Sequence, residues 1–364
     1  MDPKKELYDL IETVIREDGS DLHIGAGRHP AIRVAGELIF LQKKEIPSNE
    51  GVLAMLVEMA GQVKLNHFLS VQEVDFSYDF QPARTVESVQ SGGGQFRFRG
   101  NAFFQRGFMS IALRFIPKIK TLTELHLPKI LETFAKKEQG FFLLVGPVGH
   151  GKSTTAAAMI NLINTERTKH ILIIEDPIEF VFEPIRSMID QREVGLDTMD
   201  FNIALKSAFR QDVDVVMIGE MRSPETISTA VTAAETGHLI LSTLHTNNAS
   251  QTVDRIIDSF PPGQQDQIRV QLSSSLLGIF SQRLIPRISG GLVPAYELLI
   301  NNKAVSNLIR EKRTHEIDVV IETGSELGMV DLNRSLIELI RAGEITMDNA
   351  IRYSLNPKGL ERLL

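Results

Sequence analysis

The chain has 364 residues, 43% hydrophobic and 23% charged, with a net charge of −7 and no cysteine. That length is more than one core usually serves and predicts two domains. The acidic balance argues against broad nucleic-acid binding, and the lack of cysteine excludes a disulfide framework and a Cys-based metal site, which fits a reducing cytosol. The N-terminus, MDPKKELYDLIETVIRED, is charged and amphipathic without a signal-type apolar core, and no apolar run is long enough to span a bilayer. Direct membrane insertion is therefore not expected.

Apolar Leu7, Leu10, Ile11, Val14 and Ile15 recur at helical spacing and predict a helix over 4–17. SDLHIGAGRHPAIRVAGELIFL (20–41) predicts short strands broken by glycines. A second helix is expected over 49–69 and a strand at DFSYDF (75–80). PARTVESVQSGGG (82–94) is polar, ends in three glycines and predicts a flexible hairpin connection. QFRFRGNAFFQRG and MSIALRFIP then read as strands up to Pro117. These elements predict an N-terminal α+β domain over 1–116, with PKIKTLTEL (117–125) as a linker.

After Phe141 the pattern changes. FFLLV (141–145), HILIIED (170–176), DVVMIGE (214–220) and HLILSTLH (238–245) are near-continuous apolar strands separated by helices. This predicts a parallel sheet covered on both faces, so the overall class is α/β, with residues 126–364 forming the second domain. Ser223-Pro224, ETISTAVTAAET and Gly237 read as a helix with its N-cap, N1 proline and C′ glycine. From Ser250 onward the chain reads as mostly helical, ending in a helical hairpin hinged at Gly343. No internal repeat or low-complexity tract is present.

The chemistry concentrates on GPVGHGKST: Gly146, Pro147, Val148, Gly149, His150, Gly151, Lys152, Ser153 and Thr154. A G-x-x-x-x-G-K-[ST] sequence between an apolar strand and a helix is a phosphate loop, whose inward N–H groups and helix terminus cradle phosphate oxygens. Lys152 would neutralise the β/γ-phosphates and Ser153 would place its hydroxyl on Mg²⁺. The ligand class is thereby a nucleoside triphosphate with Mg²⁺. DVVMIGE ends a strand in Glu220, the expected general base for the attacking water, with Gly219 leaving space for the γ-phosphate. Glu175, Asp176 and Glu179 cluster at another strand's carboxyl end, where either Glu175 or Asp176 could position water. His245 follows a strand where a γ-phosphate sensor would sit; His238 precedes the same strand. Neither makes a metal spacing. Arg97, Arg99, Arg106 and Arg114 are either a solvated strand face or bidentate phosphate clamps.

In chain order, the phosphate loop, IIEDPIEF (173–180), DVDVVMIGEMR (212–222) and TGHLILSTLHTN resemble the Walker A, Asp box, Walker B and His box of the secretion-ATPase superfamily. SDLHI, FRGNAFFQRG, LRFIP, AVSNLIREKRTHEID and GMVDLNRSLIELIRAGEIT are similar to further signatures of its PilT-like pilus retraction ATPases. The resemblance implies an N-terminal PAS-like domain, a RecA-like P-loop ATPase domain with C-terminal helices, and a cytoplasmic homohexamer that hydrolyses ATP under an inner-membrane pilus platform protein. An accessory PilU-like paralogue is an alternative, and a paralogous retraction ATPase a possible partner. An assembly or type II secretion ATPase is disfavoured, because those chains usually carry an extra N-terminal domain and a four-Cys zinc insert. The resemblance assigns nucleotide contacts to Arg99, Arg106 and Arg114, catalysis to Glu220, the Asp-box roles to Glu175, Asp176 and Glu179, and the His-box roles to His238 and His245. Three positions depart from the family pattern: His150 for Ser, Phe182 for His, and Ser306 for Arg.

Overall fold

The computed structural model describes residues 2–34, 36–81, 96–116 and 118–363. The 82–94 connection and Pro117, the first residue of the expected linker, lie outside them. The chain divides into two compact units: Met1–Lys118 with Pro177–Val181, and Ile119–Asp176 with Phe182–Leu364.

In the first unit, helix α1 (Pro3–Arg16) is capped by the Asp2 carboxylate on Lys4 N–H. Strands β1 (Gly19–Gly25), β2 (Ala31–Val34) and β3 (Glu37–Phe40), helix α2 (Asn49–Val71) and strands β4 (Glu73–Phe80), β5 (Phe96–Gln105) and β6 (Phe108–Ile116) follow. They form a six-stranded antiparallel sheet in the order β3-β2-β1-β6-β5-β4. Leu7, Leu10, Ile11 and Val14 of α1 and Val52, Met55 and Leu56 of α2 bury against Leu22, Phe76, Phe98 and Leu113 of the sheet. The second helix is longer than its apolar pattern suggests and is broken at Gly61, whose φ of 74° and ψ of 174° leave the helical region. Glycine adopts that conformation without a Cβ clash. Two consecutive positive-φ residues, Arg106 at 52° and Gly107 at 82°, close the β5–β6 hairpin. This twist matches the flanking strands.

The second unit begins with α3 (Leu131–Ala135). It continues with β7 (Gly140–Val145), α4 (Lys152–Glu166), β8 (His170–Glu175), β9 (Met188–Glu193), α5 (Phe201–Ala208), β10 (Val215–Ile218) and α6 (Pro224–Glu235). Then come β11 (Leu239–Leu244), α7 (Ala249–Asp258), α8 (Pro262–Ser275), β12 (Leu276–Pro286) and β13 (Leu292–Ile300). The sheet order is β13-β12-β7-β11-β10-β8-β9, parallel throughout except for the β12–β13 hairpin at its edge. Every residue of β7 is buried, and the all-apolar composition of the central strands follows from cover on both faces. The predicted cap of α6 is present: Ser223 Oγ accepts Thr226 N–H, and Gly237 beyond the end has φ 113°.

The expected mostly helical character after Ser250 is corrected here. β12 and β13 take twenty residues of that region into the sheet. LLGIFSQRLIP follows α8 directly, with its one glycine, Gly278, already inside the strand, so local signals do not mark the junction; pairing with β7 decides the outcome. Helices α9 (Lys303–Arg310), α10 (Ile317–Thr323), α11 (Leu332–Arg341), α12 (Met347–Tyr353) and α13 (Pro357–Leu363) complete the chain. Gly343, at φ 70°, ends α11 and starts the return to α12. In α9, Ser306 donates to Ser273 O at 2.8 Å, which ties α9 to the end of α8. Phe182 is buried, and its N–H donates to Gln191 Oε1 at 2.9 Å.

Candidate nucleotide-binding site

In β7, β11, β10 and β8, neighbours in the sheet, Val145 is level with Leu244, and Ile218 with Ser242 and Ile174. The residues that follow each strand therefore emerge together. These are Gly146, His245, Gly219-Glu220 and Asp176, with Glu175 as the last residue of β8. In a parallel α/β sheet the carboxyl edge is where ligands bind.

The loop after β7 turns on glycines. Gly146, Gly149 and Gly151 have φ of 143°, 79° and 79°. Gly151 is the N-cap of α4 and gives no side-chain cap, so the first N–H groups of α4 face the loop interior without that competitor. Helices α5, α6 and α7 carry such side-chain caps at Asp200, Ser223 and Asn248. A glycine cradle joined to an uncapped helix terminus fits an anionic phosphate chain. The exposed tip is Val148, and Ser153 and Thr154 follow Lys152 in the first turn of α4.

Lys152 is buried, and its Nζ donates to Pro147 O at 2.9 Å and to His245 Nδ1 at 3.2 Å. His245 therefore accepts at Nδ1 and carries its proton on Nε2, which lies 3.9 Å from Glu220 Oε2. Burial, then the Lys152 charge, hold the His245 pKa below its ordinary value. Glu220 Oε1 is 2.5 Å from Arg222 Nη2. Lys152, His245 and Glu220 thus form one line of polar groups across the strand ends. Thr243 and Ser242 hydroxyls brace the line from below by donating to Gly219 O and Ile218 O at 2.6 and 2.8 Å.

Glu175 is buried and Asp176 exposed. Glu175 packs against Gly219: a Cβ there would stand 3.3 Å from Glu175 Cγ. Two of the expected residues stand apart from their expected fellows within the chain. His238 stands at the start of β11, paired through its carbonyl with Gly140 N–H at the start of β7. The six residues of β11 between them put it about 20 Å from His245 and from the loop, and its Nδ1 is engaged with Ala233 O. Arg106 occupies the left-handed turn of the β5–β6 hairpin, again about 20 Å along the strand from Arg99.

Arg99 and Arg114, by contrast, are directly opposite in register, in a row that runs Arg33, Asp21, Arg114, Arg99, Ser77 across five strands. Arg114 Nε donates to Asp21 Oδ1 at 2.9 Å, and Arg99 Nη1 is 3.8 Å from Glu179 Oε1 within the first unit. Like charges directly opposite cost stability unless anions offset them. Arg97, two residues before Arg99 on β5 and so on the same face, bonds Asp79 Oδ2 at 2.7 Å.

Sequence reasoning missed Gln282, Thr155 and Leu284, which hold the loop from beneath. Gln282 Nε2 donates to His150 O at 3.0 Å and its Oε1 accepts from Thr155 Oγ1 at 2.6 Å. Leu284 N–H donates to His150 Nδ1 at 2.9 Å. The imidazole at the position usually held by Ser is thus an acceptor, and burial, then the charges of Arg283 and Lys152, lower its pKa. The Tyr353 ring of α12 meets it edge-on at 6.3 Å. No group of three or more His, Cys, Asp or Glu side chains among the described residues could hold a metal ion. Magnesium needs none: it is commonly held by phosphate, water and one hydroxyl or carboxylate, which suits Ser153.

The type II/IV secretion system protein family matches residues 108–346. The chain is 39% identical to the type IV pilus retractation ATPase PilT of Pseudomonas aeruginosa, over 95% of this chain and 97% of that one. It is 38% identical to the type IV pilus ATPase PilU of the same organism, over 99% and 91%. A crystal structure of the pilus retraction motor PilT with bound ADP superposes with a TM-score of 0.88 at 41% identity, covering 98% of each chain.

Proposed function

The chain belongs to the type II/IV secretion system protein family and is an ATPase with an N-terminal domain and a RecA-like ATPase domain; from that premise we propose that it is the motor that retracts type IV pili. The observation that carries this is likeness along almost the whole chain to a retraction ATPase. The motor acts in the cytoplasm as a homohexamer, docked under an inner-membrane platform protein. No helix among the described residues is long and apolar enough to cross a membrane, which is compatible with docking through a partner.

ATP lies with its phosphates in the loop of residues 146–151 over the first turn of α4. Lys152 exchanges Pro147 O and His245 for phosphate oxygens, a charge-assisted contact of shorter reach. Ser153 would hold Mg²⁺, which would supply neutralisation of phosphate charge. Glu220 orients the attacking water and takes its proton, and His245, released from Lys152, donates towards the γ-phosphate. Glu175, packed against Gly219, fixes the edge on which Glu220 stands. Positioning and charge neutralisation account for most of the rate. In the ring, the paired Arg99 and Arg114 reach a neighbour's phosphates, which would offset their mutual repulsion. Within one chain His238 stands at the far edge of the sheet from the loop.

The test is turnover by the purified chain with Mg²⁺ and ATP. Glu220→Gln is expected to cut kcat by about 10²–10⁴-fold, the usual worth of a general base, while ATP binding persists. Turnover within a few-fold of the parent removes Glu220 from that role. A second reading, an accessory PilU-like paralogue, rests on the 38% identity to PilU over 99% of the chain. Full activity of the pure protein without a partner motor speaks against it.

A further inference from the structure

β7 pairs with β12 only as far as Val145 opposite Ser281. There β7 leaves the sheet as the phosphate loop, and the next residues of β12 lie under it. Gln282 is buried and meets the loop at both ends. Its carbonyl oxygen lies 2.3 Å from where a Cβ on Gly146 would stand, and its Nε2 lies 2.9 Å from the equivalent point on Gly151. Its amide spans loop and helix, donating to His150 O and accepting from Thr155 Oγ1. The neighbouring side chains of β12 hold the segment after His245: Ser281 Oγ donates to Asn247 O at 2.9 Å and Arg283 Nη2 to Asn247 Oδ1 at 3.2 Å. Ser281–Leu284 therefore grips both the phosphate loop and the segment that carries His245.

We propose that Gln282 is a positioning residue that aims the phosphate loop. A trans peptide points its C=O and the following N–H in opposite directions. With His150 O held down on Gln282 Nε2, the Gly151 N–H faces away from β12, into the loop, where it donates to an anion. The Thr155 hydroxyl donates to Oε1 and so favours the same orientation of the amide that the His150 carbonyl already selects. A carboxylate at 282 would keep the Thr155 bond and set two acceptors against each other at His150, which favours the flipped peptide with Gly151 N–H withdrawn.

This rests on residues 146–154 being the nucleotide site, and the experiment separates the two ideas. ADP affinity, ATP turnover and nucleotide-free melting are measured on the full chain for Gln282→Glu, Gln282→Asn, Thr155→Val and Lys152→Met. Gln282→Glu and Gln282→Asn are expected to weaken ADP binding about tenfold or more, the worth of a lost charge-assisted contact. They are also expected to lower kcat, with melting little changed. Thr155→Val, which leaves the His150 bond in place, is expected to stay within about threefold. A purely structural role would instead lower melting and leave affinity and kcat of the folded protein unmoved. Should Gln282→Glu fail to fold, Gln282→Asn decides. Normal ADP binding and turnover in the folded Gln282 variants, beside a Lys152→Met that has lost ADP, overturns the positioning role alone. Normal ADP binding in Lys152→Met removes the nucleotide site and the proposal with it.

Discussion

Replacing Gly146 by Ala tests whether β12 shapes the phosphate loop before any nucleotide arrives. The new residue must hold φ at 143°, and its Cβ would stand 2.3 Å from Gln282 O, a backbone atom of a sheet strand. Restoring ordinary contact needs about 1 Å of movement. Backbone strain of this kind costs about 1–3 kcal/mol and forced displacement in a packed site about as much again. Gly149 is the internal control. Its φ is 79°, yet a Cβ there meets nothing within 4 Å, so Gly149→Ala carries only the strain, about 1–2 kcal/mol. At about 2–4 °C per kcal/mol for a unit of this size, calorimetry of the nucleotide-free variants should show a clearly larger drop in Tm for Gly146→Ala. Equal drops, or a larger one for Gly149→Ala, would refute the idea that Gln282 fills the space beneath the loop.

Lys152→Met keeps the buried stem and removes the charge; loss of a charged hydrogen bond worth about 1.5–3 kcal/mol should weaken ADP by about ten- to a hundredfold in a binding titration. Glu297, whose Oε1 accepts Ala249 N–H at 2.7 Å, has its pKa pushed up by burial to about 7. The folded chain therefore binds the extra proton, and the stability this group contributes is full below its unfolded value and lost as pH rises through about 7. Urea titrations of Glu297→Gln should accordingly show a gain over the parent at pH 8 that disappears near pH 5. His150 has the opposite sign: with its pKa lowered, its contribution is present above the ordinary histidine value and lost as pH falls through the folded one. His150→Ser should flatten that acid-side loss, and an unchanged acid limb would remove His150 from it.

The phosphate loop was legible because its chemistry is local: spacing, strand and helix lie within one short stretch. The central strands were legible because cover on both faces leaves a continuous apolar run. β12 was not, since its strand state comes from pairing with β7, far away in sequence, and Gln282 was hidden with it. Arg106 shows the same limit: whether an arginine on a hairpin joins its fellows depends on where the turn falls, and the turn took Arg106 itself. The resemblance alone points to His238; strand direction puts a residue that precedes a parallel strand at the edge opposite the loop. The Lys152–His245–Glu220 line needed the register of β7, β11 and β10, which no single segment contains.

The claim of pilus retraction is tested most directly by counting surface pili, and scoring twitching, in cells that lack this protein beside cells that carry Glu220→Gln. A retraction motor predicts more surface pili and no twitching in both strains. Loss of pili would contradict it and make the chain an assembly motor.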